Sequence, residues 1–136
     1  MKDIIKERIL VLDGALGTMI QQYGLTEADF RGEEFKNHPV KLEGNNDILV
    51  LTRPDIISNI HRQYLEADAD IIETCTFNSQ AISQTEYQTT DFIYRINLEA
   101  ARLARQEADR MTALTPDKPR FVAGSVGPTA KMTSMS

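Results

Sequence analysis

Residues 8–14 read RILVLDG, with four consecutive apolar positions from Ile9 to Leu12 closed by Asp13-Gly14. An uninterrupted apolar run of this length predicts a strand buried on both faces, as in a parallel sheet. The period then changes. Leu16, Met19, Ile20 and Tyr23 recur at three- and four-residue spacings, which predicts a short helix stopped by Gly24. Residues 24–53 break the alternation, mixing acids with Phe30, Phe35, His38-Pro39 and the turn-like Gly44-Asn45-Asn46-Asp47. They read as an insertion within the first β/α unit, a surface excursion anchored by the two phenylalanines, with a lid or binding loop as the alternative.

Regular structure resumes at Thr52-Arg53-Pro54-Asp55, where a threonine three residues before an acid and a proline in the first turn predict a helix start. Ile57, Ile60, Tyr64 and Ala67 form its apolar stripe, and residues 69–77, ADIIETCTF, predict a second strand. The strongest helical pattern runs from Asp91 to Met111, with Ile93, Ile96, Ala100, Leu103 or Ala104, Ala108 and Met111 on one face. Asp91 before Arg95 and Arg105 before Asp109 are spaced to pair on its polar face. Thr115-Pro116 and Lys118-Pro119 end it, and Phe121 to Gly124 is a third short strand. Residues 131–136 add no closing helix. Strand, helix, insertion, helix, strand, long helix, strand is the order of an α/β fold with parallel strands side by side under covering helices. A closed barrel takes eight strands and about 250 residues. The expectation is therefore either a small open sheet or the first part of a larger barrel.

Composition narrows the function classes. The 136 residues carry 15 Lys+Arg against 20 Asp+Glu, a net charge of -5, with 41% hydrophobic residues: one folded domain, with no basic footprint for nucleic acid or an anionic membrane surface. The first residues, MKDIIKER, lack a signal-peptide core, and no run approaches the roughly 20 apolar residues of a membrane span. The single cysteine, Cys75, rules out an internal disulfide and fits a reducing compartment, so the expected location is the cytoplasm. Cys75 reads as a small buried hydrophobe, and neither His38 nor His61 belongs to a metal-ligand spacing.

In parallel α/β folds ligands bind beyond the carboxyl ends of the strands. Here those ends deliver Asp13-Gly14, then Glu73-Thr74-Cys75-Thr76, then Gly124-Ser125. Carboxylates for an ammonium, with hydroxyls and backbone N–H groups for a carboxylate, make a rim suited to a small zwitterion. Asp13-Gly14 is also ordinary turn chemistry, and Thr74 and Thr76 are also good strand formers. Glu73 is harder to explain that way, because a carboxylate ending a buried strand is costly unless paired or used. Gly14-Ala15-Leu16-Gly17-Thr18 lacks the spacing of a nucleotide-binding loop.

Residues 11–21 (VLDGALGTMIQ), Phe30-Arg31-Gly32, Gly44-Asn45-Asn46-Asp47-Ile48-Leu49, residues 69–77 and residues 121–129 (FVAGSVGPT) together resemble the start of the cobalamin-dependent methionine synthases. Asp-Gly-Ala-x-Gly-Thr and Glu-Thr-x-Thr-Phe are shared across the wider homocysteine S-methyltransferase family, which includes betaine-dependent enzymes. Phe-Arg-Gly and Gly-Asn-Asn-Asp point to the cobalamin branch. The resemblance implies the N-terminal portion, about three strands, of a β/α (TIM) barrel spanning residues 1–136, with homocysteine bound at Asp13, Gly14, Glu73, Thr74, Cys75, Thr76, Phe77, Gly124 and Ser125. It also implies a zinc ion, held by cysteines outside this chain, that activates the homocysteine thiol. The methyl group would come from methylcobalamin, charged by methyltetrahydrofolate, both on other domains, so the catalytic and metal-ligating residues are not in this segment. The remaining barrel would be its natural partner, and the open edges predict self-association. The rival readings are a non-catalytic small α/β module binding a metabolite or partner through the same rim, or a fragment of a betaine-type homocysteine methyltransferase.

Overall fold

The computed structural model describes residues 1–129, which leaves residues 130–136, and with them the expectation about 131–136, outside the described part. The elements are α1 (Leu16–Gln21), α2 (Glu27–Arg31), α3 (Leu49–Thr52), α4 (Pro54–Glu66), β1 (Ile71–Glu73), α5 (Ala81–Thr85), α6 (Ile93–Leu114) and β2 (Phe121–Ala123), with 3-10 turns at Ile4–Lys6, Asn46–Ile48 and Thr90–Phe92. No helix among them is long and apolar enough to cross a membrane.

The sheet is small and parallel. β1 pairs with β2 in the register Ile71 to Phe121, Ile72 to Val122 and Glu73 to Ala123. On its other side β1 meets the first apolar run, but only through an isolated parallel bridge from Leu12 to Ile71. Ile71 N–H donates to the Val11 carbonyl at 3.1 Å and Asp13 N–H to the Ile71 carbonyl at 2.9 Å. The three expected strands are thus side by side in chain order. The first is not buried on both faces, however: Ile9 is 87% exposed, and Val11 and Leu12 are about half exposed. Among the described residues that edge has one neighbour and no covering helix. What fixes it is the Arg8 guanidinium, which grips the buried Asp70 carboxylate at 2.6 and 3.0 Å, while Asp70 also accepts the Val11 N–H at 2.9 Å.

The segment expected to be a surface excursion supplies six of the thirteen buried residues of the main core cluster. Phe30, Phe35, Leu42, Ile48, Leu49 and Val50 are all buried, packing with Ile20, Ile56, Ile57, Ile60, Ile96 and Ala100. At about 1.5–3 kcal/mol for burying one large apolar side chain, this contribution exceeds what a surface excursion could make. Its order has a polar cause. Arg31 donates to the carbonyls of Phe35, Lys36, His38 and Val40, and Glu27 accepts from Arg31 and from the N–H groups of Leu42 and Glu43. Gly32, at φ +56°, makes the turn that places Arg31 over this loop. A smaller cluster of Leu65, Ile72, Ala104, Ala108 and Met111 joins α4 and α6 to the sheet.

Two local expectations change. Thr52 ends α3, donating back to the Ile48 carbonyl at 3.4 Å, so α4 starts at Pro54 without a side-chain cap, and the capping box lies instead at Thr26 and Asp29. Arg95 pairs with Glu34 across the fold rather than with Asp91, whereas Arg105 and Asp109 do pair, at 2.6 Å. In the α4 stripe Ala67 is exposed, and Ile56, His61 and Leu65 are buried with Ile57 and Ile60.

Candidate functional site

A cavity of about 490 Å³ opens at the carboxyl end of the sheet, between the start of α1, the Asn46–Ile48 turn and the loop leaving β1. The parallel register makes it, since three chain segments leave the sheet on one side. Asp13, Gly14, Glu73, Thr74, Cys75, Phe77 and Ser125 line it; of the expected site residues, Thr76 and Gly124 do not.

Asp13 is the most perturbed acid there. Its Oδ2 accepts the Glu73 N–H at 3.0 Å, which ties the first segment to the end of β1. Its Oδ1 is buried with no hydrogen-bond partner among the described residues. Burial pushes the carboxyl up to about 6, opposed by the Glu73 N–H and assisted by the Glu73 charge. The Glu73 carboxylate is half-buried on the same wall and accepts no hydrogen bond among the described residues. Space at Gly14 is tight. A Cβ there would meet the Tyr64 hydroxyl at 3.0 Å, and that hydroxyl donates to the Ala15 carbonyl at 2.8 Å, holding the entry to α1.

The two threonines are engaged structurally. Thr76 donates its hydroxyl to the Ser125 carbonyl at 2.8 Å, so Thr74 is the donor in the 2.7 Å contact between the hydroxyls and accepts the Ser125 N–H at 3.1 Å. This relay staples the ends of β1 and β2. Beyond it, Gly127 N–H donates to the Phe77 carbonyl at 2.9 Å, and a Cβ on Gly127 would lie 2.5 Å from that oxygen, so only glycine fits. Cys75 is buried, and its thiol points at the Asn46 carbonyl and at Asp47 Oδ1, each at 3.7 Å. Burial, first, and the Asp47 charge raise the thiol well above its ordinary value, which favours its protonated form.

Asn46, Asp47 and Asn78 were not among the expected site residues, yet they line one wall, with Asn45 and Ser79 bonded behind it. Asp47, 3% exposed, accepts the Asn78 N–H and the Ser79 hydroxyl, both at 2.7 Å, and burial raises its carboxyl despite those bonds. The signal available in the sequence was an acid placed immediately before the apolar run Ile48-Leu49-Val50-Leu51, a position that is costly unless its hydrogen bonds are satisfied. No lysine, arginine or histidine lines the cavity, and the described residues hold no cluster of three acidic, cysteine or histidine side chains able to bind a metal ion. The cavity can therefore stabilise a cationic group at its acidic wall and hydrogen-bond a polar group at its amide and hydroxyl wall.

A sequence model described as homocysteine S-methyltransferase matches residues 10–136. Among solved structures, the metallated form of the homocysteine methyltransferase MmuM from Escherichia coli superposes with a TM-score of 0.71 at 21% identity, over 93% of this chain and 40% of that one. The oxidized form of the same protein gives 0.67 at 24% identity, over 88% and 37%. At these identities the likeness is one of fold, and the chain spans about 40% of the length of the structures it matches.

Proposed function

The chain belongs to the homocysteine S-methyltransferase family, and from that premise we propose that the cavity at the carboxyl end of its sheet holds the amino-acid end of homocysteine while the sulfur is methylated. The observation that carries this reading is the pair of unsatisfied carboxylates. Asp13 Oδ1 is buried without a partner, and Glu73 stands beside it on a wall that has no base. An ammonium group placed there donates to both, removes their mutual repulsion and favours the ionised form of Asp13.

Within the family the proposed branch is the cobalamin-dependent methionine synthases, with methylcobalamin as methyl donor and methyltetrahydrofolate as its source. Phe30-Arg31-Gly32 and Gly44-Asn45-Asn46-Asp47 support that branch, and the first of these builds the Arg31-organised loop. Zinc, which the family resemblance implies, does not fit the residues described here: they hold no cluster of three acidic, cysteine or histidine side chains, and the one cysteine is buried against Asp47. Its ligands, and the remaining strands of the barrel, are proposed to lie outside this sequence. What this segment does is bind and orient the substrate.

Isothermal titration of homocysteine into the 136-residue chain at pH 7.5 tests the reading. Binding that Asp13→Asn weakens at least tenfold is expected, with no more than trace zinc retained after dialysis. No binding, or binding indifferent to Asp13→Asn, overturns the assignment of the cavity. One tightly held zinc per chain overturns the placement of the metal.

A further inference from the structure

Asn78 has its peptide gripped on both sides. Its N–H donates to Asp47 Oδ2 at 2.7 Å, and its carbonyl accepts from Gln84 Nε2 at 2.9 Å. The gripping groups are themselves fixed. Gln84 is fully buried and exchanges two hydrogen bonds with Asn45, at 3.0 and 3.1 Å, while the Thr89 hydroxyl donates to its Oε1 at 2.6 Å. Asp47 also takes the Ser79 hydroxyl at 2.7 Å. All this buried polarity converges on one exposed turn residue that lines the cavity and whose carboxamide makes no hydrogen bond among the described residues.

The same construction recurs across the cavity at Ser125, whose N–H and carbonyl are held by Thr74 and Thr76 and whose hydroxyl is equally unused. A backbone fixed at both its donor and its acceptor while its side-chain donor is left open is what presentation to a ligand requires; packing alone gives no reason for it. The chemistry of the ligand's other end follows from the lining. A carboxylate cannot approach Asp13, Glu73 or Asp47 without repulsion, and no cationic side chain is present to receive it, so neutral N–H and O–H donors must.

We propose that Asn78 is a ligand-contacting residue whose carboxamide N–H receives the carboxylate of the amino-acid ligand, and that Asp47 and Gln84 are the residues that position it. The assignment rests on the reading that the cavity takes the amino-acid end of homocysteine. It adds to that reading the orientation of the ligand: ammonium at Asp13 and Glu73, carboxylate at Asn78.

The test titrates two probes into the full chain, homocysteine and 3-aminopropane-1-thiol, which is homocysteine without its carboxylate. Asn78→Ala is expected to weaken homocysteine about tenfold, the order of one hydrogen bond to a charged group, and to leave the aminothiol unchanged. Asn78→Asp is expected to weaken homocysteine further, by like-charge repulsion. Asp47→Ala is expected to reproduce the selective loss, and Asp47→Asn, which keeps an oxygen to accept from Asn78 and Ser79, to restore homocysteine binding to within about threefold of the parent. Equal weakening of both probes by Asn78→Ala, or none, overturns the assignment while leaving the acidic wall intact. Failure of the parent chain to bind either probe overturns the cavity reading and this assignment with it.

Discussion

At the scale of single residues, one half-buried and one fully buried titratable group pull the pH dependence of stability in opposite directions. Asp13 holds its proton up to about 6 in the folded chain, against an ordinary value of 3.8, because burial disfavours the carboxylate. The unfolded chain releases that proton first, so folding loses stability as pH rises from about 4 to 6. His61 does the reverse. It is fully buried on α4 with neither ring nitrogen partnered among the described residues, and burial drives it from 6.5 down to about 4, opposed by Glu107 of α6. The unfolded chain takes up that proton first, so stability is full above about pH 6.5 and drains as pH falls towards 4, by on the order of 3 kcal/mol. His61→Leu is expected to flatten the acid limb of a urea-midpoint profile between pH 7 and 4.5; an unchanged limb would show that another group controls it. Asp13→Asn removes the cost of burying a charge. It is expected to raise Tm at pH 7.5 by a few degrees, since solvent screening at this half-exposed group holds the gain to about 1 kcal/mol. A variant that melts higher while losing homocysteine would mark Asp13 as a position where stability is sacrificed for binding. If Asp13→Asn melts lower, its bond to the Glu73 N–H matters more than its charge.

At the scale of elements, legibility in the sequence followed the range of the interactions involved. The stripe of α6 was readable because helical periodicity is local, and Ile96, Ala100, Ala104, Ala108 and Met111 are indeed buried. The chain order of the sheet followed from the handedness of crossovers, and the place of Asp13, Gly14 and Glu73 on the cavity was legible because strand ends define the mouth of a parallel sheet. The anchoring of residues 24–53 by Phe30 and Phe35 was legible, but the extent of their burial was not, because nothing periodic announces a segment ordered by one guanidinium serving four carbonyls. Asn45, Asp47, Asn78 and Gln84 were missed for a similar reason. The bonds from Asp47 to Asn78 and from Asn45 to Gln84 span 31 and 39 positions, and a turn-like sequence gives no sign that its side chains are the fixed part. The Arg31 arrangement makes an element-scale prediction. Lysine has no planar fork with which to serve several carbonyls at once, so Arg31→Lys is expected to cost about 1–2 kcal/mol and to speed amide exchange in residues 36–43 ahead of α6. Uniform exchange in parent and variant would assign the order of that loop to Phe30 and Phe35 alone.

At the scale of the whole molecule, the hydrophobic surface is distributed unevenly. The helical side is closed around Ile48, Leu49, Ile57 and Ile60, all fully buried. The sheet side is not. Ile9, Val11 and Leu12 are exposed along one edge, β2 has no strand on its outer edge among the described residues, and Val126 beyond it is 90% exposed. An edge that pairs on one side only leaves a row of backbone donors and acceptors beside apolar side chains, and such edges recruit further strands. The 136-residue chain is therefore expected to self-associate in sedimentation velocity at tens of micromolar, the more so at high salt, where screening weakens the repulsion of its -5 net charge. Lysines at Ile9 and Val11 place charges on that edge without touching either core cluster or the cavity, because both side chains already face solvent. They are expected to shift the distribution towards monomer while leaving Tm and homocysteine titration as in the parent. A parent chain that sediments as a monomer up to high concentration would show that the exposed edge is guarded by its own twist and charge. Association that persists in the double-lysine variant would move the contact to β2, where Val122→Lys becomes the informative substitution.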